Sequence, residues 1–111
     1  MRINAHGHIL PEPSEIPNFM KEKKLFWIDE DKKFMRQQNW SRPINGKGFF
    51  LEDKINWMHQ NNIDHAVMLC LSQLYCNGWK KKDCSDAIRF QNDFNASVQE
   101  RYPHKFTCGF V

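Results

Sequence analysis

At 111 residues the chain has room for one domain, and its four Trp and nine Phe supply enough apolar surface to exclude a disordered chain. A formal charge of +3, scattered along the sequence, is too small to argue for nucleic acid. No apolar run is long enough to span a membrane, and Met1-Arg2-Ile3-Asn4-Ala5-His6 lacks the apolar region of a signal peptide, so a cytoplasmic location is the expectation.

Residues 2 to 5 read as a short strand. Residues 9 to 50 carry Pro11, Pro13, Pro17, Pro43, Gly46 and Gly48. That is too long for an ordinary connection, so a functional loop or a small excursion is expected. Within it, Phe19 to Phe34 fits either a short helix or a hairpin. A helix is expected over 51–61, with Leu51, Ile55 and Met58 on one face and Glu52 and Asp53 in the first turn. Asn61-Asn62 is its expected stop, because Asn tolerates the left-handed conformation.

Residues 65 to 71, His-Ala-Val-Met-Leu-Cys-Leu, show no alternation and predict a parallel strand buried on both faces. A loop over 72–82 leads to a second helix over 84–101, with Asp83 as N-cap and Ala87, Ile88, Phe94 and Val98 facing inward. Pro103 stops that helix, and residues 105 to 111 form a third strand. Lys21, Lys23 and Lys24, and likewise Lys80 to Lys82, read as solvated loop or helix ends. The cysteines at 70, 76, 84 and 108 include no Cys-x-x-Cys pair, and no disulfide is expected in a reducing compartment. Cys70 and Cys108 read as small buried hydrophobes.

Strands alternating with helices predict an α/β fold with parallel strands and right-handed crossovers. One strand–helix unit, His65 to Lys105, takes 40 residues. Eight such units need about 320 residues, within the range of a barrel enzyme. The expected fold is therefore the N-terminal portion of a (β/α)8 TIM barrel, with 1–111 as part of a single domain truncated after its third strand. A third strand left uncovered would present an open edge prone to aggregation.

His6-Gly7-His8 closes the first strand. Residues two apart on a strand point the same way, so both imidazoles face one interior, at the C-terminal end where barrel active sites lie. Neutral imidazole ligates zinc and similar ions. His6 and His8 are thus the candidate metal ligands. His59, His65 and His104 fall on a helix or at strand starts and read as surface or structural. A site of this type needs at least three protein ligands, so the others are expected beyond Val111. Among the four Trp, Trp40 in the long loop is the best candidate to line a pocket.

Three segments carry a family resemblance: Ile3-Asn4-Ala5-His6-Gly7-His8-Ile9-Leu10-Pro11, Met58-His59-Gln60-Asn61-Asn62-Ile63-Asp64, and Arg101-Tyr102-Pro103-His104-Lys105-Phe106. In this order they resemble the amidohydrolase-related (amidohydrolase 2) family that includes aminocarboxymuconate-semialdehyde decarboxylase. His59 and Asn62 replace the Asp and Gly usual there, and Lys105 replaces an Arg. The resemblance implies a metal-dependent (β/α)8 barrel with zinc or another divalent metal on His6 and His8. It implies a further His, His and Asp from later strands. It also implies an arginine in the first long loop that holds a substrate carboxylate. Arg36 lies one residue from that position, with Arg42 as a rival; Asn39-Trp40 follows as in the relative, and the bland alternative is a solvated arginine. The implied activity is a decarboxylase, a carbon–carbon lyase acting on a small unsaturated or aromatic carboxylate. The alternatives are a metal-dependent hydrolase of an amide, ester or lactone, and a non-catalytic barrel or incomplete fragment. No catalytic group is expected within these 111 residues, which alone are expected to be inactive. A homodimer is expected by analogy with relatives.

Overall fold

The structure, a computed structural model, describes residues 2–4, 7–45, 48–69 and 78–109. The chain divides into two compact units, Pro11–Gly46 and a larger one built from Met1–Leu10 and Lys47–Val111.

The larger unit holds a three-stranded parallel sheet, β1 (Ile3–Asn4), β5 (His65–Met68) and β6 (Phe106–Cys108), with β5 in the middle. Ala66 lies opposite Phe106, and Met68 opposite Cys108. These four residues are buried on one face, together with Met58 of α2 (Leu51–Gln60) and Val98 of α3 (Lys81–Arg101). Both helices therefore cover the same face of the sheet. Leu51, Ile55, Trp57 and Phe94 extend that layer.

Helix α2 ends as its sequence predicts. Asn61 is the C-cap, and Asn62 takes a φ of 55°. The Asn62 N–H donates to the His59 carbonyl at 3.3 Å, and the Ile63 N–H donates to the Met58 carbonyl at 2.9 Å. This pair of bonds satisfies carbonyls the last turn would otherwise leave open, and the second brings Ile63 back over the core beside Met58.

Two expectations about the strands and helices of this unit are corrected. Strand β5 alternates between half-buried and buried residues and is not buried on both faces. Ala66 and Met68 face the helices, whereas His65 and Val67 occupy the face that no described helix covers. Asp83 is not the N-cap of α3. The helix begins three residues earlier than Cys84, with Lys80 as N-cap and Asp83 buried in the first turn, where its carboxylate suits the positive helix end. Ala87 and Val98 face inward as expected, but the same stripe continues through the polar Gln91 and Asn95. The lysines at 80–82 sit exposed at the start of this helix.

The smaller unit answers the choice between helix and hairpin with both. A 3-10 turn over Pro13–Glu15 and a short helix α1 (Asn18–Glu22) precede an antiparallel meander of β2 (Trp27–Ile28), β3 (Phe34–Gln37) and β4 (Trp40–Pro43). Pro17 caps the helix start, and Lys24, at a φ of 56°, follows its end. Ile16, Met20, Phe26, Ile28 and Met35 are buried in this unit, so the excursion has apolar side chains of its own to hold it. Strand β4 is exposed along its whole length.

Cys108 is a free, buried thiol, as expected. Cys84, at the start of α3, is disulfide-bonded, which overturns the expectation that the chain carries no disulfide. Such a bond belongs to an oxidising environment more readily than to a reducing one. Cys70 lies outside the described residues. No helix among the described residues is long and apolar enough to cross a membrane.

Candidate functional site

His6 lies outside the described residues. His8 follows β1, half-buried, with its Nδ1 3.0 Å from the carbonyl oxygen of Leu69. A carbonyl can only accept, so Nδ1 carries the proton and donates it. In the neutral ring the lone pair then belongs to Nε2. Leu69 is itself placed by its N–H, which donates to the Gly7 carbonyl at 2.8 Å. The residues that follow β1 and β5 thus hold each other at the C-terminal end of the parallel sheet. A ring N–H donated to a backbone carbonyl is the outer contact that fixes a metal-binding histidine in its tautomer and orientation.

His8 therefore fits the part of one Nε2 ligand. A catalytic zinc site draws on three protein donors. Among the described residues no group of three or more His, Cys, Asp or Glu comes together.

His65 occupies a different position, as expected of a residue that opens a strand. Its Nδ1 lies 3.2 Å from the His104 carbonyl and its Nε2 2.7 Å from the Thr107 hydroxyl. Nδ1 donates to the carbonyl, and in the neutral ring Nε2 accepts from Thr107, so both nitrogens are engaged in tying β5 to β6. His59 is exposed on α2. His104 is exposed too, and contributes its backbone carbonyl to the His65 contact.

Arg36 and Trp40 both belong to the smaller unit and line one cavity of about 190 Å³ at the β3–β4 turn, together with Trp27. That volume is below the roughly 300–1,000 Å³ of whole-ligand pockets. Trp27 stands directly opposite Arg36 across the sheet, and Trp40 opposite Gln37. Trp27 also walls a second cavity, of about 430 Å³, with Lys21, Lys24 and Asp29. Arg42, the rival arginine, is exposed on β4 and is not part of either lining.

Arg36 is not a loose surface cation. Its Nε lies 2.8 and 2.9 Å from the two carboxylate oxygens of Asp29, and its guanidinium sits 5.1 Å from the Phe34 ring centre. The Arg36 hydrogen bond holds the Asp29 carboxyl below its ordinary range, with partial burial opposing it and the arginine's charge adding to it. The same bond holds Arg36 above its ordinary value. With Nε committed to Asp29, the two Nη groups remain as further N–H donors on the guanidinium.

Among the four Trp that could line a pocket, sequence reasoning placed Trp40 ahead of Trp27, and it missed Asp29 and Leu69. Asp29 had a signal, since Trp-Ile-Asp and Phe-Met-Arg lie on either side of a charged turn and place Asp29 near Arg36. Leu69 acts through its backbone, which no residue type announces. Also missed was Lys54, buried on α2, whose Nζ lies 4.3 Å from the Trp57 ring centre and whose pKa is lowered by burial. Gly48, at a φ of 91°, closes over it; a Cβ there would lie 3.4 Å from the Lys54 Cδ.

No protein-family model matches this chain, and no curated protein matches it.

Proposed function

We propose that the chain is the metal-holding N-terminal portion of an amidohydrolase-type (β/α)8 barrel, acting in its complete form as a decarboxylase of a small unsaturated or aromatic carboxylate. The observation that carries this reading is His8, whose Nδ1–H is tied to the Leu69 carbonyl at the C-terminal end of a parallel sheet. The sheet order is compatible with the barrel: its strands follow one another in chain order, β1-β5-β6, and both helices pack on one face, an arrangement shared by a barrel and by one half of a doubly wound sheet.

In this reading His6 and His8 hold a divalent metal, zinc by the chemistry of imidazole donors. The bound metal supplies Lewis acidity at the mouth of the barrel. The chain's own residues do the rest of what is assigned here: the Leu69 carbonyl keeps His8 in the tautomer that presents Nε2, and the Arg36 Nη groups orient a carboxylate. A second reading, a metal-dependent hydrolase, is favoured by one observation. Asp29 already neutralises Arg36, which weakens the case for a carboxylate clamp.

Zinc titration of the complete protein by calorimetry tests the metal centre. Binding is expected in the native chain, weakened strongly by His6→Ala and by His8→Ala and unaffected by His59→Ala. Equal binding in all four proteins, or none in the native chain, contradicts it. Titration with benzoate, followed through the Trp27 and Trp40 indole N–H signals, separates the two activities. Binding abolished by Arg36→Ala supports the decarboxylase, and indifference to that change favours the hydrolase.

A further inference from the structure

The end of α1 carries a lysine in a place that glycine usually takes. The Leu25 N–H donates to the Met20 carbonyl at 2.9 Å and the Lys24 N–H to the Lys21 carbonyl at 3.2 Å. This pair of bonds closes the helix after its C-cap, Lys23, and puts Lys24 at the left-handed position, with a φ of 56°. An L-residue is strained there, and such strain persists where the surroundings gain from it. Here the gain is position. The turn sets the Lys24 Nζ 5.7 Å from the Trp27 ring centre. That is the outer reach of a cation–π contact, so the ammonium, on its flexible stem, can turn to an anion at little cost.

Lys21, Lys24 and Trp27 wall the cavity of about 430 Å³, a volume inside the roughly 300–1,000 Å³ of whole-ligand pockets. Neither lysine is held in an ion pair among the described residues. Of the two carboxylates in the lining, Asp29 is matched by Arg36 and Glu30 is exposed, so the lining keeps an excess of positive charge. Trp27, half-buried, supplies an aromatic wall. We propose that this cavity binds a planar aromatic anion, its ring stacked on the Trp27 indole and its carboxylate or phosphate between the Lys21 and Lys24 ammonium groups. The anion relieves the repulsion of the two like charges, and the indole face accepts any planar ring. Lysines act as point charges and suit either anionic group. The site rests on neither His8 nor the Arg36 Nη groups, so it stands or falls apart from the metal centre.

The test titrates the complete protein with naphthoate, with its saturated analogue decahydronaphthoate and with adenosine monophosphate, following the Trp27 indole N–H by NMR. Lys21→Gln removes one charge. Lys24→Gly removes the other and places at the left-handed position the residue type that suits it, so a loss of binding there is not a loss of fold. Naphthoate or the monophosphate is expected to bind the native protein and shift the Trp27 signal, and the tighter of the two names the anionic group. The K21Q/K24G double variant is expected to lose about tenfold in affinity, and added salt to weaken native binding. The saturated analogue, of equal charge, is expected to bind more weakly than naphthoate. A Trp27 signal that neither aromatic anion moves overturns the proposal. So does equal affinity in the double variant, or a saturated analogue that binds as tightly as naphthoate.

Discussion

Replacing Asn62 by Gly and by Ala isolates one backbone dihedral from everything else in the larger unit. Asn62 sits at a φ of 55°, immediately after the C-cap of α2, and its side chain is exposed. Its backbone N–H bond to His59, and the bond from Ile63 to Met58, use no atom that either substitution removes. The left-handed conformation costs an ordinary L-residue about 1–2 kcal/mol, and Gly nothing. Against this, Gly gives the unfolded chain extra freedom worth about 0.4–1 kcal/mol relative to Ala. The difference leaves Asn62→Gly more stable than Asn62→Ala by about 1 kcal/mol, with native Asn close to Gly. At a urea slope of about 1–3 kcal/mol/M for a small protein, the two midpoints should differ by roughly 0.5 M with unchanged slope. An Ala variant as stable as the Gly variant would refute the left-handed assignment, and with it the way the chain turns from α2 into β5.

Two further predictions concern charge. Asp29 titrates below the ordinary carboxylate range because of Arg36, so the pair stabilises the fold above the unfolded value near about 3.9 and is lost as pH falls through the lower folded value. Urea midpoints taken across that acid range should fall more steeply in the native chain than in Asp29→Asn; parallel curves would remove the pair from the account. Lys54 titrates below an ordinary lysine because it is buried, so stability should rise as pH climbs from its folded value to the unfolded value near about 10.4. Lys54→Met should flatten that rise, and an unchanged alkaline profile would mean that the lysine is solvated after all.

How much was legible in the sequence differs by element. Helix α2 was readable at both ends, because its start carries acids and its stop carries the residue type that tolerates a positive φ. Helix α3 was misplaced at its start, since Asp83 is as suitable in the first turn as at the cap. Gln91 and Asn95 were passed over because an inward stripe is sought among apolar residues, whereas Asn95 is buried through a hydrogen bond to the Gly109 backbone. The unbroken apolar run at 65–71 suggested two buried faces, but among the described residues only one side of β5 meets helices. The excursion after β1 was readable as more than a loop from its length and prolines. Its meander became visible only once Trp27–Ile28 and Phe34–Gln37 were paired. At the candidate site, the place of His-x-His directly after the first strand picked out His8, whereas its orientation depends on a backbone carbonyl sixty-one residues away.

The central claim, that His8 presents Nε2 to a metal, is tested most directly by ¹⁵N NMR of its imidazole with and without one equivalent of zinc. The account expects Nδ1 to be protonated in both spectra, with Nε2 pyridine-like in the metal-free chain and shifted on zinc addition. A protonated Nε2 with a bare Nδ1, or an Nε2 signal that zinc leaves unmoved, would contradict it.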